Sequence, residues 1–321
     1  MNDTSYSAEQ MAELINLTTE RLGLQEPYVI EKDLYVTKAI SVLMAVPDDT
    51  FKLVFQGGTA LAKAHNYIER MSEDCDFRLA YKVPSEHRKK DAQRKLLRGF
   101  RKNLLAALSE NGFELDEDAV RVRNEGQFIS VRARYASVYD VPMSLKPYLA
   151  LEFFLGQVKT PTVERTVTSL IRQTLGEKIA HPEVPVHCMS IPETAAEKWV
   201  ALTRRVATMQ QRKHYYDQVL VRHIYDLTMI NQNHPLKETN FAKLVGEIVE
   251  GDRQHFKTHS DVYHQDPIKA IQHALHELEH NPMWRENWEN FMGTMVYGDK
   301  PAYEDAMKVL KSISAVALCE V

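Results

Sequence analysis

The stretch LVFQGGTALAKAHNYIERMSEDCDF, residues 53 to 77, limits the possible folds more than any other part of the chain. Lys52 to Gln56 is apolar enough for a short buried strand, and Gly57-Gly58 breaks it. Thr59 to Tyr67 then carries Leu61 and Ala64 at helical spacing. From Asp74 to Tyr81 the period becomes two: Cys75, Phe77 and Leu79 share one face, and Asp74, Asp76 and Arg78 the other. A strand, a glycine turn, a helix and a second strand in direct succession require a sheet with helices packed on it.

The flanking pattern extends this plan. Residues 8–24 and 29–46 read as helices, the first opened by a weak Ser7/Gln10 capping box. A long basic helix is expected over 85–111, with Leu96, Leu97, Phe100, Leu104 and Leu108 on its inner face. Strands follow at 119–123, 127–135 and 148–155. After Pro182, Pro185 and Pro192 the pattern is helical throughout, over 192–210, 213–231, 239–249, 267–279, 284–296 and 301–317. The expected fold is α+β: a domain at 1–190 with a mixed sheet flanked by helices, then an all-α domain at 191–321. At 321 residues the chain is long enough for two cores.

The chemistry concentrates in the first domain. Glycines let a backbone approach a ligand closely, and a helix N-terminus offers free N–H groups to a phosphate. No Gly-Lys-Ser/Thr follows Gly57-Gly58, so the turn is not a P-loop. Asp74 and Asp76, two apart on a strand, put two carboxylates side by side, and a divalent cation relieves their repulsion. The competing reading of Asp-x-Asp is a solvent-facing acidic pair near Arg70 or Arg78. A phosphate cradle and a carboxylate pair on adjacent strands together meet the needs of phosphoryl transfer. Glu152, a lone acid in the apolar YLALEFFLG, is the candidate third carboxylate, unless it faces an edge or a salt bridge.

Gly57-Gly58-Thr59 followed by Arg70-Met71-Ser72-Glu73-Asp74-Cys75-Asp76-Phe77 resembles the signature of the AbiEii/AbiGii-type nucleotidyltransferase toxins, MenT-like members of the polymerase-β-like superfamily. Glu31-Lys32-Asp33-Leu34-Tyr35-Val36 resembles the same family's Glu-Lys-Asp segment. Glu197-Lys198 and Arg222-His223-Ile224-Tyr225-Asp226-Leu227 resemble its downstream motifs, with His223 where an acid is usual. The resemblance implies that Gly57, Gly58 and Thr59 hold an NTP, with Arg70 and Ser72 of the same run beside them; Lys63, one turn inside the cradle helix, is a further candidate for a phosphate. It implies Mg²⁺ or Mn²⁺ on Asp74 and Asp76, with Glu152 the candidate third ligand from the strand pattern. Lys198 would contact phosphate from a helical domain that completes the cleft, and Asp226 would arrange the site. The implied activity is transfer of a nucleoside monophosphate to an acceptor, as a toxin of an abortive-infection, phage-defence system with a cognate antitoxin.

MenT-type relatives modify tRNA, so an RNA surface is expected. Net charge is −4, so any such surface must be local. Arg88, Lys89, Arg94, Lys95, Arg98 and Arg101 form a basic stripe that only Asp91 interrupts. Arg212, Lys213, Tyr215 and Tyr216, with Arg204 and Arg205, form a second patch. The alternative for both is a solvated helix face. His255, His259 and His264 lack the acid of a zinc hydrolase site. No run of about 18 apolar residues suggests a membrane span. Three scattered cysteines and a polar N-terminus point to a reducing cytoplasm. Two further readings stand beside the RNA-modifying enzyme: the same fold acting on a protein hydroxyl or small molecule, and a non-catalytic nucleotide- or RNA-binding module.

Overall fold

The computed structural model describes residues 6–83, 89–142, 145–176, 183–211, 217–236, 240–255 and 261–319. Two compact units emerge: Met1–Asn66 with Ser72–Met189, and Tyr67–Met71 with Ser190–Val321.

The first unit is built on seven strands: β1 (Phe51–Gln56), β2 (Asp74–Tyr81), β3 (Val120–Arg123), β4 (Phe128–Ala133), β5 (Leu149–Leu155), β6 (Val163–Val167) and β7 (Val184–Cys188). They lie in the order β3-β4-β5-β2-β1-β7-β6. β2 runs antiparallel to β1 and parallel to β5, so the sheet is mixed. Period-two alternation sends Phe55, Phe77 and Phe153 to one face, where their rings stack 5.2 and 5.4 Å apart. Helices α2 (Pro27–Ala45) and α4 (Lys90–Glu110) cover that face with Val36, Ile40, Leu43, Leu97, Phe100 and Leu104. Burying each such side chain contributes about 1.5–3 kcal/mol. The opposite face carries Asp74, Asp76, Arg78, Ser130 and Glu152, all half-buried.

Helix α1 (Ala8–Arg21) starts on the expected capping box, Ser7 and Gln10 bonding reciprocally. It packs on α2 and α5 (Leu170–Leu175) through Ile15, Ile30, Leu34 and Ile171. Helix α3 (Gly57–Lys63) starts two residues before the expected Thr59 and ends four before Tyr67. Helix α4 starts at Lys90, and the earlier part of its expected span, 85–88, lies outside the described residues. Strands β6 and β7 and helix α5 add to the elements expected from the sequence pattern. β6 reads VERTV, with Glu164, Arg165 and Thr166 exposed as suits an edge strand. β7 contains Pro185, which marks a breaker in sequence. In the sheet Pro185 pairs with Thr166 of β6, while β7 meets β1 only at Cys188. The proline's missing donor is therefore not needed there.

Three consecutive charges of α2 tie this unit together. Glu31, 2% exposed, accepts from Ser137 Oγ and from Val138 N at 2.8 Å. Lys32, 1% exposed, donates to Glu73 and to the Lys146 carbonyl at 2.7 Å. Asp33 accepts from Lys63 and from Leu170 N at 2.7 Å. Buried charges persist only when paired in this way.

The second unit is helical: α6 (Ile191–Gln211), α7 (Arg222–Asn233), α8 (Phe241–His255), α9 (Asp261–Gln265), α10 (Pro267–His280), α11 (Pro282–Thr294) and α12 (Tyr303–Ala317). A 3₁₀ turn at Gln218–Val221 precedes α7, within the stretch expected as helix over 213–231, of which 213–216 lie outside the described residues. Asp266 caps α10 and Asn281 caps α11, each followed by Pro at the first helical position. Trp199, Trp284 and Trp288 fill the core, and Trp199 Nε1 donates to Ser314 Oγ at 2.9 Å. Tyr67–Met71 joins this unit as an extended segment: Met71 N donates to Met295 O at 2.8 Å and Tyr297 N to Glu69 O at 3.0 Å.

Candidate active site

β1 ends at Gln56 and the chain turns sharply at Gly57, whose φ of +79° lies in the left-handed region. A Cβ on Gly57 would sit 2.2 Å from Asp76 Oδ2. Conformation and contact both demand glycine here, and the Asp76 carboxylate lies directly against the Gly57 backbone. Register explains why. Asp76 is opposite Gln56 in β1 and beside Glu152 in β5, while Asp74 is beside Ala150. Asp74, Asp76 and Glu152 therefore share the face not covered by α2 and α4.

Thr59 is buried, donates its hydroxyl to the Asp74 carbonyl and lies 3.0 Å from Ser72 Oγ. It fastens the start of α3 to the start of β2. Gln56 precedes α3 without capping it, and its buried Oε1 has no hydrogen-bond partner among the described residues. That orphaned oxygen lies at the register position of Asp76 and suits a site completed by a bound group.

Lys146, which no sequence motif marks, supplies a cation. Its Nζ lies 2.6 Å from Asp74 Oδ1, and its backbone N donates to Glu73 Oε1 at 2.7 Å. Burial works against the ammonium, but Asp74 outweighs it and holds Lys146 above the ordinary lysine value. Lys63, expected at the NTP, is buried and pairs with Asp33.

Among the described residues no three of His, Cys, Asp and Glu converge into a ready-made metal cage. Mg²⁺ does not require one: it is usually held by one or two carboxylates and completed by substrate phosphates and water. The all-oxygen set of Asp74, Asp76 and Glu152, beside an orphaned acceptor, fits such an ion.

Arg70, Lys198 and Asp226 come together inside the second unit. Arg70 grips Asp226 through both oxygens, at 2.7 and 2.8 Å, and Lys198 Nζ lies 2.7 Å from Asp226 Oδ2. Asp226 is fully buried, and Arg70 and Lys198 are 5% and 8% exposed. Burial alone would raise the Asp226 carboxyl, but the two cations outweigh it and hold it far below the usual carboxylate range. Arg70 and Lys198, assigned from sequence to the NTP and its phosphates, thus both have this carboxylate as partner. His223, beside them, is held uncharged by burial and by Lys198 and Arg222.

Of the basic stripe, Lys89, Arg94, Lys95 and Arg98 are exposed and Arg101 half-buried, and Arg88 lies outside the described residues. In the second patch Arg204 and Arg205 pair with Asp252 and Asp217, at 2.5 and 2.6 Å. Arg212, Lys213, Tyr215 and Tyr216 lie outside the described residues, as do His259 and the side chain of His255.

Gly57→Ala should displace Asp76 and cost about 1–3 kcal/mol of stability from its left-handed backbone alone. Urea unfolding tests this, and a variant as stable as the parent contradicts the close approach. Asp226→Asn leaves two buried cations facing each other and should cost about 3–5 kcal/mol. The stabilisation from Asp226 is complete above the ordinary carboxylate pKa and is lost as pH falls toward its depressed folded value. The parent protein should therefore lose stability more steeply than Asp226→Asn below about pH 4. Parallel stability–pH curves would contradict the pairing.

Comparison with known proteins gives this geometry a family. No curated protein sequence matches the chain. Among solved structures it is similar to MenT4, a nucleotidyltransferase toxin from Mycobacterium tuberculosis H37Rv, at 17% identity and a TM-score of 0.48. That likeness covers 95% of this chain and 94% of the other. The family model described as the nucleotidyl transferase AbiEii toxin of type IV toxin–antitoxin systems matches residues 42–310, which include Gly57, Asp74, Asp76, Glu152, Lys198 and Asp226. The chain belongs to the AbiEii nucleotidyltransferase toxin family.

Proposed function

We propose that the protein transfers a nucleoside monophosphate from an NTP to an RNA acceptor, a tRNA, in a Mg²⁺-dependent reaction that serves phage defence. The observation that carries the reading is the carboxylate face: Asp74, Asp76 and Glu152 on neighbouring strands, with Asp76 laid against the Gly57 turn. Asp74, Asp76 and Glu152 would hold the ion, which supplies charge neutralisation to the triphosphate. Gly57 and Gly58 leave room for phosphate oxygens to reach backbone amides, and Thr59 with Ser72 keeps that turn fixed to β2. Lys146 balances Asp74 and adds a cation near the leaving charge. The acceptor hydroxyl oxygen bonds to the α-phosphorus, the bond to pyrophosphate breaks, and the hydroxyl proton is released.

An RNA acceptor is favoured by the exposed cations of α4 in a chain whose net charge is −4. The family's systems pair a toxin with an antitoxin, so a cognate antitoxin is proposed as partner. The three cysteines are free, two of them buried, which suits a cytoplasmic protein. No helix among the described residues is long and apolar enough to cross a membrane.

The test is incubation of the purified protein with Mg²⁺, total tRNA and each α-³²P NTP in turn, beside Asp74→Ala and Asp76→Ala. Label should appear on RNA and fall at least about a hundredfold in both variants, whose circular dichroism stays that of the parent. Undiminished labelling in the variants would remove the carboxylates from the site. Label on protein or a small molecule, and none on RNA, would replace the acceptor.

A further inference from the structure

Between α4 and the β3–β4 hairpin lies a cavity of about 310 Å³. Its floor is apolar, from Leu97, Val122 and Ile129, and its walls carry Arg94, Arg98, Arg101 and Arg123. The first three arginines recur at helical spacing along one side of α4, about 10 Å from first to last at 1.5 Å per residue. Among the described residues no carboxylate ion-pairs with Arg98, Arg101 or Arg123. Arg94 pairs with Glu125 at 2.7 Å and with Asp91 at 3.4 Å, and Arg123 lies over the Phe128 ring.

Glu125 is held there by an unusual turn. Asn124, Glu125 and Gly126 have φ of +48°, +58° and +95°, so two non-glycine residues in succession adopt the left-handed region. The turn sets the Glu125 carboxylate against Arg94.

The cavity is separate from the carboxylate site. Ile129 in its floor pairs with Phe153, which stacks on Phe77 on the helix-covered face. Glu152, one residue from Phe153, faces the other way with Asp76. The arginines and the reacting carboxylates therefore belong to opposite faces of one sheet.

We infer that this pocket docks the phosphodiester backbone of the RNA acceptor remote from its reacting end, with Glu125 as a displaceable counter-ion that an RNA phosphate replaces on Arg94. The inference rests on the RNA reading above. Charge complementarity fixes the occupant: several guanidiniums around an apolar floor receive phosphates while a base lies on the floor or stacks on an Arg plane. Glu125 lowers non-productive anion binding, because only a ligand that supplies several phosphates competes with it effectively.

The experiment is fluorescence anisotropy of fluorescein-labelled tRNA with the full chain in the absence of NTP, across a salt series, for the parent, Glu125→Gln and Arg98→Ala/Arg101→Ala. Nucleotide binding is read in parallel. Glu125→Gln should bind tRNA about two- to fivefold more tightly, the range of an exposed ion pair. The double arginine variant should bind at least about tenfold more weakly near physiological salt, with a log–log salt slope shallower by about one to two. NTP affinity should stay unchanged in both. Parent-like tRNA binding in the double variant, or no gain in Glu125→Gln, overturns the inference. Poly-glutamate that binds in preference to tRNA overturns it too and assigns the pocket to an acidic protein. Because binding is read without transfer, the two readings fail separately: tRNA bound through the pocket but never labelled defeats the function, and labelled tRNA indifferent to the pocket variants defeats the docking.

Discussion

The Asp76 carboxylate occupies the space in which any residue but glycine would place its Cβ, and the rest of the first unit serves that contact. The antiparallel register of β1 and β2 sets Gln56 against Asp76, and the turn at Gly57 folds back over it. The parallel register of β2 and β5 then sets Glu152 beside it. Lys146 meets Asp74 on that face, at 2.6 Å.

Buried charges hold this geometry. Lys32 bonds to both Glu73 and the Lys146 carbonyl, so the residue before Asp74 and the lysine that pairs with Asp74 share one anchor. Asp33 fastens Lys63 of α3, and Glu31 fastens the loop at Ser137 and Val138. Such pairs are costly to bury and add little net stability over apolar packing, but removing one partner is strongly unfavourable. Their effect is to fix positions. The Arg70–Asp226–Lys198 cluster does the same within the helical unit, and ties in a segment that lies four residues before Asp74 in sequence.

Much of this was legible in the residues. The alternation of β2 and the Gly57-Gly58 break gave the strand–turn–helix–strand unit, and Glu152 stood out as an acid in an apolar strand. The α+β plan, with a mixed sheet and then helices, followed from periodicity and matches the fold. Partners distant in sequence were not legible. Lys146 meets Asp74 from 72 residues away, and Arg70 meets Asp226 from 156. A side chain's type does not say which distant carboxylate it will meet, so the partners of Lys63, Arg70 and Lys198 emerge only from the fold. Strands β6 and β7 escaped because an edge strand rich in charge and a strand containing proline both lose the usual signal. The Glu125 turn escaped because nothing in Asn-Glu-Gly requires two left-handed residues before glycine.

In the proposed function Asp74, Asp76 and Glu152 would hold a divalent ion together with the nucleotide. The most direct measurement is electron paramagnetic resonance of Mn²⁺ titrated into the protein, with and without a non-hydrolysable NTP, for the parent and for Asp76→Asn. The account predicts weak Mn²⁺ binding alone, tighter binding with nucleotide, and loss of that coupling in Asp76→Asn. Nucleotide binding that ignores Mn²⁺, or coupling that survives in Asp76→Asn, would contradict it.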